Sequence, residues 1–210
     1  MVFDYREEYP EFYGVKKKPS LVNVPKMNYL AVLGEGRPRR DAGDYYPARE
    51  SVLAVTQTIL RSKELGKRIK GFFSYEEPPV ETFFWSDQLE KLDYVGKENA
   101  HWAVAVRIPD FVTEEVAQWA IEETKKQKKI MPVQYYPYHE GVCVQALHVG
   151  APETEGDTVA LMKAYVSESG FSMREKDYYH HEIYLNDILR CKRENWRIIL
   201  RQPVDTVADD

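Results

Sequence analysis

The chain has 210 residues, a formal net charge of -5, 13% aromatic residues, and 15 tyrosines. That acidity offers no basic face to offset phosphate charge, so nucleic-acid binding is not expected, and no apolar run approaches the ~20 residues of a membrane span. Cys143 and Cys191, with no C-x-x-C spacing and no Cys/His cluster, indicate neither a disulfide framework nor a structural zinc site; this usage and the absence of a signal peptide at Met1 to Arg6 fit a cytoplasmic protein.

Residues 1 to about 20 are polar, carry Lys16, Lys17 and Lys18 before Pro19, and read as an exposed lead-in. Tyr29 to Leu33 is a short apolar strand closed by Gly34-Glu35-Gly36, and Pro38 to Tyr46 is turn-rich. Pro47 at a first helical position, Glu50 in the first turn, and Val52, Val55, Thr56 and Ile59 on one face predict a helix ending near Gly66. Val80 to Asp87 and Trp102 to Ile108 are strands, the second alternating Trp102, Val104, Val106 and Ile108 with Ala103 and Ala105, whose small side chains leave room on their face. Thr113 begins a linker helix over about 113–129, acidic at its start, basic at its end, with Val116, Trp119, Ala120 and Thr124 as its buried stripe. A strand from Gly141 to Gly150, a helix from about Asp157 to Ser169, and strands from His180 to Asn186 and Trp196 to Gln202 follow, and the tail after Val204 is polar.

The chain repeats itself. Trp102, Arg107 and Pro109 recur at the same offsets as Trp196, Arg201 and Pro203; Leu33, Gly36 and Pro38 answer Leu147, Gly150 and Pro152; Phe84 and Asp87 answer Tyr184 and Asp187. Two strand, helix, strand, strand units, about 21–110 and about 133–204, therefore make one pseudo-symmetric α+β body with a continuous sheet and covering helices. The interface between such units is where a small-molecule cleft belongs.

Strand alternation puts His180, Glu182, Tyr184 and Asn186 on one face and His181, Ile183 and Leu185 on the other. The apolar pair suits the covering helices, which leaves Glu182 and Tyr184 facing the cleft. Glu182 is then either a structural carboxylate, bonded to tyrosine hydroxyls or paired with Arg107 or Arg201, or a site carboxylate awaiting a cation or a polarised water, its pKa raised by desolvation. On the opposite wall, Phe84 or Trp85 must face the cleft, and the repeat favours Phe84. His148 reads as an ordinary core or edge histidine, or as a cleft residue. Adjacent His180 and His181 diverge along a strand, and no metal and no cofactor are indicated; dinucleotide, P-loop and nucleophile-elbow patterns are absent.

With Gly141 to Gly150, His180 to Asp187 and Arg197 to Val204 in view, the chain resembles the GyrI-like small-molecule binding proteins, built from a duplicated SHS2 module, over about Leu21 to Val204. The resemblance implies an antiparallel sheet around a ligand cleft, in a monomer or weak dimer whose partner is an aromatic small molecule, flat, lipophilic and preferably cationic. It also implies, for stand-alone members of this length, hydrolysis of cyclopropanoid toxins. Glu182 would be the catalytic residue, and Tyr184, Trp102, Tyr136, Phe84, Trp85 and His148 would line the ligand site. Binding without turnover and inhibition of a protein partner are the alternatives. One segment departs from the family pattern: Pro79-Val80-Glu81-Thr82-Phe83-Phe84-Trp85 lacks its glycine.

Overall fold

The computed structural model describes residues 2–40, 42–87, 97–174 and 179–206. Its strands are β1 (Ser20–Glu35), β2 (Val80–Trp85), β3 (His101–Ile108), β4 (Gln134–Val149), β5 (Phe171–Met173), β6 (His180–Tyr184) and β7 (Arg197–Thr206). They form one antiparallel sheet in the order β4-β1-β3-β2-β6-β7-β5, and β4 pairs with β7 as well. That extra pairing closes six strands into a ring. Closure depends on two long strands of 16 residues each: β1 gives its first part to β4 and its last part to β3, while β4 gives Cys143 to Val149 to β7. The sequence predicts only the apolar end of β1 and the second half of β4, because Asn23, Lys26, Gln134 and His139 hide the rest from a reading of apolar runs. The polar tail predicted after Val204 is likewise strand as far as Thr206, paired with β5; residues 207–210 lie outside the described residues.

The two units predicted from the repeat are present. The first runs β1, helix α3 (Tyr45–Leu60), β2, β3; the second runs β4, helix α5 (Glu155–Glu168), β6, β7, with β5 as an addition. Val80 pairs with Tyr184, Thr82 with Glu182 and Phe84 with His180. Exchanging the halves at the offset that relates Phe84 to Tyr184 turns the first of these pairs into the third and leaves the middle one in place. The pseudo-twofold axis therefore passes through Thr82 and Glu182. The outer hairpins match less closely: Tyr29 pairs with Arg107, whereas Cys143 pairs with Pro203, two residues beyond Arg201.

Outside the ring, α3 and the linker helix α4 (Glu114–Lys125) bury Leu30, Val32, Val80, Phe84, Trp102, Val104 and Val106, and α5 buries Val144, Ala146, Ile198 and Leu200. Thr113 caps α4 as predicted, accepting from the Val116 amide at 3.3 Å. The α4 stripe is rotated from the expected one: Ala117, Ala120, Ile121 and Thr124 are buried, and Val116 and Trp119 lie at its margin. Gly34 packs flat on Trp102, where a Cβ would come within 2.2 Å of the indole.

Inside the ring lie Tyr29, Ala31, Phe83, Ala103, Ala105, Cys143, Ile183 and Ile199. The room beside the two alanines is filled by the start of the chain. The lead-in is exposed only in part: Lys16, Lys17 and Lys18 are exposed as expected, but helices α1 (Tyr5–Glu8) and α2 (Pro10–Tyr13) bury Tyr5, Phe12 and Tyr13 against the ring, and the Arg107 guanidinium lies 4.6 Å from the rings of both Tyr5 and Tyr9. The spaced aromatics Tyr5, Tyr9, Phe12 and Tyr13 were the available signal, and the neighbouring charges Arg6, Glu7, Glu8 and Glu11 obscured it.

The interior holds a buried charge network. His181 Nδ1 lies 3.0 Å from Glu140 and Nε2 lies 3.0 Å from Glu81, while Arg201 donates to Glu140 at 3.1 Å, to Gln145 and to the Phe12 carbonyl. Burial alone would raise the Glu140 carboxyl, but His181 and Arg201 outweigh it and bring the pKa down to about 2. Burial likewise opposes charge on His181, yet Glu140 and Glu81 hold its pKa above the ordinary 6.5. The two groups act at opposite ends of the pH range. The stability due to Glu140 is complete above the ordinary 4.5 and is lost as pH falls toward about 2; that due to His181 is complete below 6.5 and is lost as pH rises through its higher folded value. Urea midpoints at pH 3, 5.5 and 8.5 should therefore peak at 5.5, and a midpoint still rising at 8.5 would contradict this assignment.

Candidate functional site

The face assignment made from sequence is reversed. Ile183 and His181 point into the ring, and His180, Glu182 and Tyr184 point outward. The cleft is thus on the helix side, where the first residues of α3 and α5, Tyr45 and Glu155, reach the axis. An apolar outer partner was the wrong criterion: the ring interior needs Ile183 more than the helices do.

Glu182 has charged or polar neighbours at both oxygens here. The Tyr184 hydroxyl donates to its Oε2 at 2.5 Å, and the Lys97 ammonium and His180 Nε2 lie 2.8 and 3.3 Å from its Oε1. Lys97 also pairs with Glu155 at 3.1 Å. The Tyr45 hydroxyl joins the cluster 2.9 Å from Thr82 and 3.2 Å from Tyr184. Of the alternatives open in the sequence, the tyrosine hydroxyl is right and Arg107 and Arg201 are not, since both lie inside the ring. The expected upward pKa shift is also wrong in sign. Burial does push the Glu182 carboxyl up, but Lys97 and His180 beside it prevail and hold it well below the usual carboxylate range. The start of two helices at this spot adds partial positive charge of the same effect. Burial against Glu182 pushes the Tyr184 hydroxyl well up, and Tyr45 is pushed up to about 12, so both stay protonated donors.

Glu155, His180 and Glu182 place ligand atoms within 4.8 Å of one another, a spacing that could hold a metal ion. Here the cation among them is the chain's own Lys97. Lys97, a buried residue with φ of 54°, also lies 5.0 Å over the Phe84 ring. Sequence reasoning missed it because a lysine in a polar stretch, Gly96 to Asn99, carries no sign of burial; it missed Glu155 by starting α5 two residues late.

Above this cluster opens a cavity of about 450 Å³, walled by Tyr45, Tyr46, Phe84, Tyr184, Trp196 and Ile188, with Lys97 and Glu182 at its floor. Arg37, Arg40, Lys192 and Arg193 stand at its lining; Arg37 pairs with Glu98 at 2.7 Å and Arg193 with Glu153 at 2.5 Å. Glu182, Tyr184 and Phe84 are thus brought together as the sequence suggested. The other four expected ligand residues lie elsewhere. Trp85 points to the opposite face from Phe84 and stacks on His101 at 5.8 Å. Trp102 is fully buried behind Tyr45, at 5.5 Å between rings, and donates to the Gly36 carbonyl. Tyr136 is on the polar half of β4, stacked on Tyr138. His148 is bonded to Thr158 and the Ala151 carbonyl. Each has a packing reason to be where it is. Of the adjacent pair Tyr178 and Tyr179, only Tyr179 is among the described residues; it donates to Glu140 inside the ring.

No protein-family profile and no curated protein matches the chain. Among solved structures, it is similar to an uncharacterized conserved protein from Listeria innocua, with 38% identity over 97% of this chain and 100% of the other and a TM-score of 0.88. It is also similar to a hydrolase from Listeria innocua, with 36% identity over 98% and 100% and a TM-score of 0.89. The C-terminal domain of EcmrR shares the fold, with 12% identity over 90% of this chain and 98% of the other and a TM-score of 0.53. At more than a third identical over nearly the whole of both chains, this protein belongs to the family of the Listeria innocua proteins.

Proposed function

We propose that the protein is a GyrI-like hydrolase of flat, lipophilic electrophiles of the cyclopropanoid class, with Glu182 as the residue that holds and deprotonates water. The observation that carries this reading is an ionised carboxylate at the floor of an aromatic cavity. The Listeria innocua relative that bears the name hydrolase supports the reaction class.

A cyclopropane conjugated to a carbonyl is strained and already electrophilic, so little is asked of the protein. Water attacks the ring methylene, a carbon–oxygen bond forms as the ring carbon–carbon bond breaks, and the released electron pair moves to the carbonyl oxygen, which takes up a proton. Glu182 accepts the proton lost by water. Its low pKa makes it a weak base but keeps it ionised at every pH above the acid range. Tyr45, Tyr46, Phe84 and Trp196 hold the aromatic body of the substrate. Incubation with a neutral cyclopropanoid should give a product heavier by one water; tight binding with full recovery of the intact compound would mean sequestration instead.

The charge at the site favours neutral ligands over the cations expected from sequence. Lys97 already balances the charge of Glu182, and the lining adds further cations. Nile red, neutral and planar, should bind more tightly than cationic rhodamine 6G, and Lys97→Met should narrow or reverse that order. Fluorescence titrations in which wild type prefers rhodamine 6G would refute this account of the floor.

A further inference from the structure

Behind Tyr184, on the side away from the Glu182 cluster, lies a second depression of about 330 Å³. Its polar lining is Arg6, Arg49, Glu77, Tyr184, Asn186 and Asp187. Most of these groups are committed. Arg6 is paired with Asp4 at 2.7 Å; Asn186 donates to the Asn195 carbonyl and accepts from the Arg197 amide; Asp187 accepts from the Leu189 amide and pairs with Arg190 at 3.4 Å; Glu77 accepts from Gln57.

Arg49 is different. It projects from the first turns of α3, is 7% exposed, and lies 5.8 Å over the Tyr184 ring. Its Nε and Nη1 are buried without a hydrogen-bond partner among the described residues. Glu77 is near enough to attract it but does not bond to these atoms, and burial pushes the Glu77 carboxyl up, which weakens the competing charge. A buried guanidinium with unmet N–H groups is costly unless something supplies acceptor oxygens.

We propose that this depression is a second ligand site, in which Arg49 binds a small oxyanion, a carboxylate or a phosphate. Guanidinium donors match such oxygens in geometry and charge. Tyr184 lines both this depression and the substrate cavity, whereas Arg49 lines only the former, so the inference does not depend on the proposed hydrolysis.

The test is calorimetric titration of the full chain, without substrate, with acetate and with inorganic phosphate at constant ionic strength, chloride serving as control. Saturable binding of at least one oxyanion is expected in wild type, and it should be at least about tenfold weaker in Arg49→Met, the loss that follows from removing one charge-assisted hydrogen bond. Arg49→Lys keeps the charge without the planar fork and should fall between them. Unfolding of ligand-free Arg49→Met supplies an independent readout: its urea midpoint should equal or exceed that of wild type, because an unmet buried charge is gone. Absence of saturable binding by either oxyanion, meaning that water alone fills the site, would overturn the proposal. So would a lowered midpoint in ligand-free Arg49→Met, which would make Arg49 a structural partner of Glu77.

Discussion

Glu182→Gln is expected to lower turnover of a neutral cyclopropanoid by at least about a hundredfold while leaving its binding nearly unchanged. Glutamine keeps the size of the side chain and can still accept from Tyr184, but it cannot take a proton from water. The fold should tolerate the change, because Lys97 retains Glu155 as a partner at 3.1 Å. Single-turnover rates measured beside fluorescence-derived Kd values separate the two effects. Wild-type turnover in this variant would reduce Glu182 to a binding or structural group. The rate in the wild-type protein should also be level from about pH 6 to 8 as far as Glu182 is concerned, because Lys97 and His180 keep it charged throughout.

Arg201→Met is expected to destabilise the protein by about 3–5 kcal/mol, the usual consequence of removing one member of a buried ion pair. Methionine fills the space but leaves Glu140 with His181 and Tyr179 alone, and leaves the Phe12 carbonyl and the Gln145 side-chain oxygen without their donor. Because Phe12 belongs to the segment that fills the ring, its loss of anchorage should also loosen the backbone around the exposed Lys16, Lys17 and Lys18, so that trypsin cuts there earlier than in wild type. Urea denaturation and timed proteolysis read the two consequences separately. A stability loss below about 1 kcal/mol would show that the network is dispensable.

The architecture was legible because duplication writes it twice: the Trp, Arg and Pro echoes gave the paired units, and periodicity located α3 and α4. Ring closure was hidden in the polar halves of β1 and β4, where strand pairing is dictated by neighbours and not by apolar alternation. At the site, Glu182, Tyr184 and Phe84 could be picked out by their place in β6 and β2. Trp102 and His148 could not be told from ligand residues, since an aromatic that supports a wall and one that forms it look alike in sequence. Lys97 was unreadable for the opposite reason: the carboxylates that accompany its buried charge, Glu155 and Glu182, lie far away along the chain.

The position of Glu182 opposite Thr82 has a further consequence. Had two identical chains closed the same ring, any residue at this place would face its own copy, with Cα atoms only ~4.5–5.5 Å apart. A pair of glutamates would repel until one took up a proton, and a pair of threonines would supply no acid at all. Joining the halves in one polypeptide frees each to vary alone, so that a single carboxylate can occupy the dyad. Its surroundings then differ from left to right, with Phe84 on one wall and Tyr184 on the other, so the two orientations of a bound molecule that twofold symmetry would make equal are no longer equal.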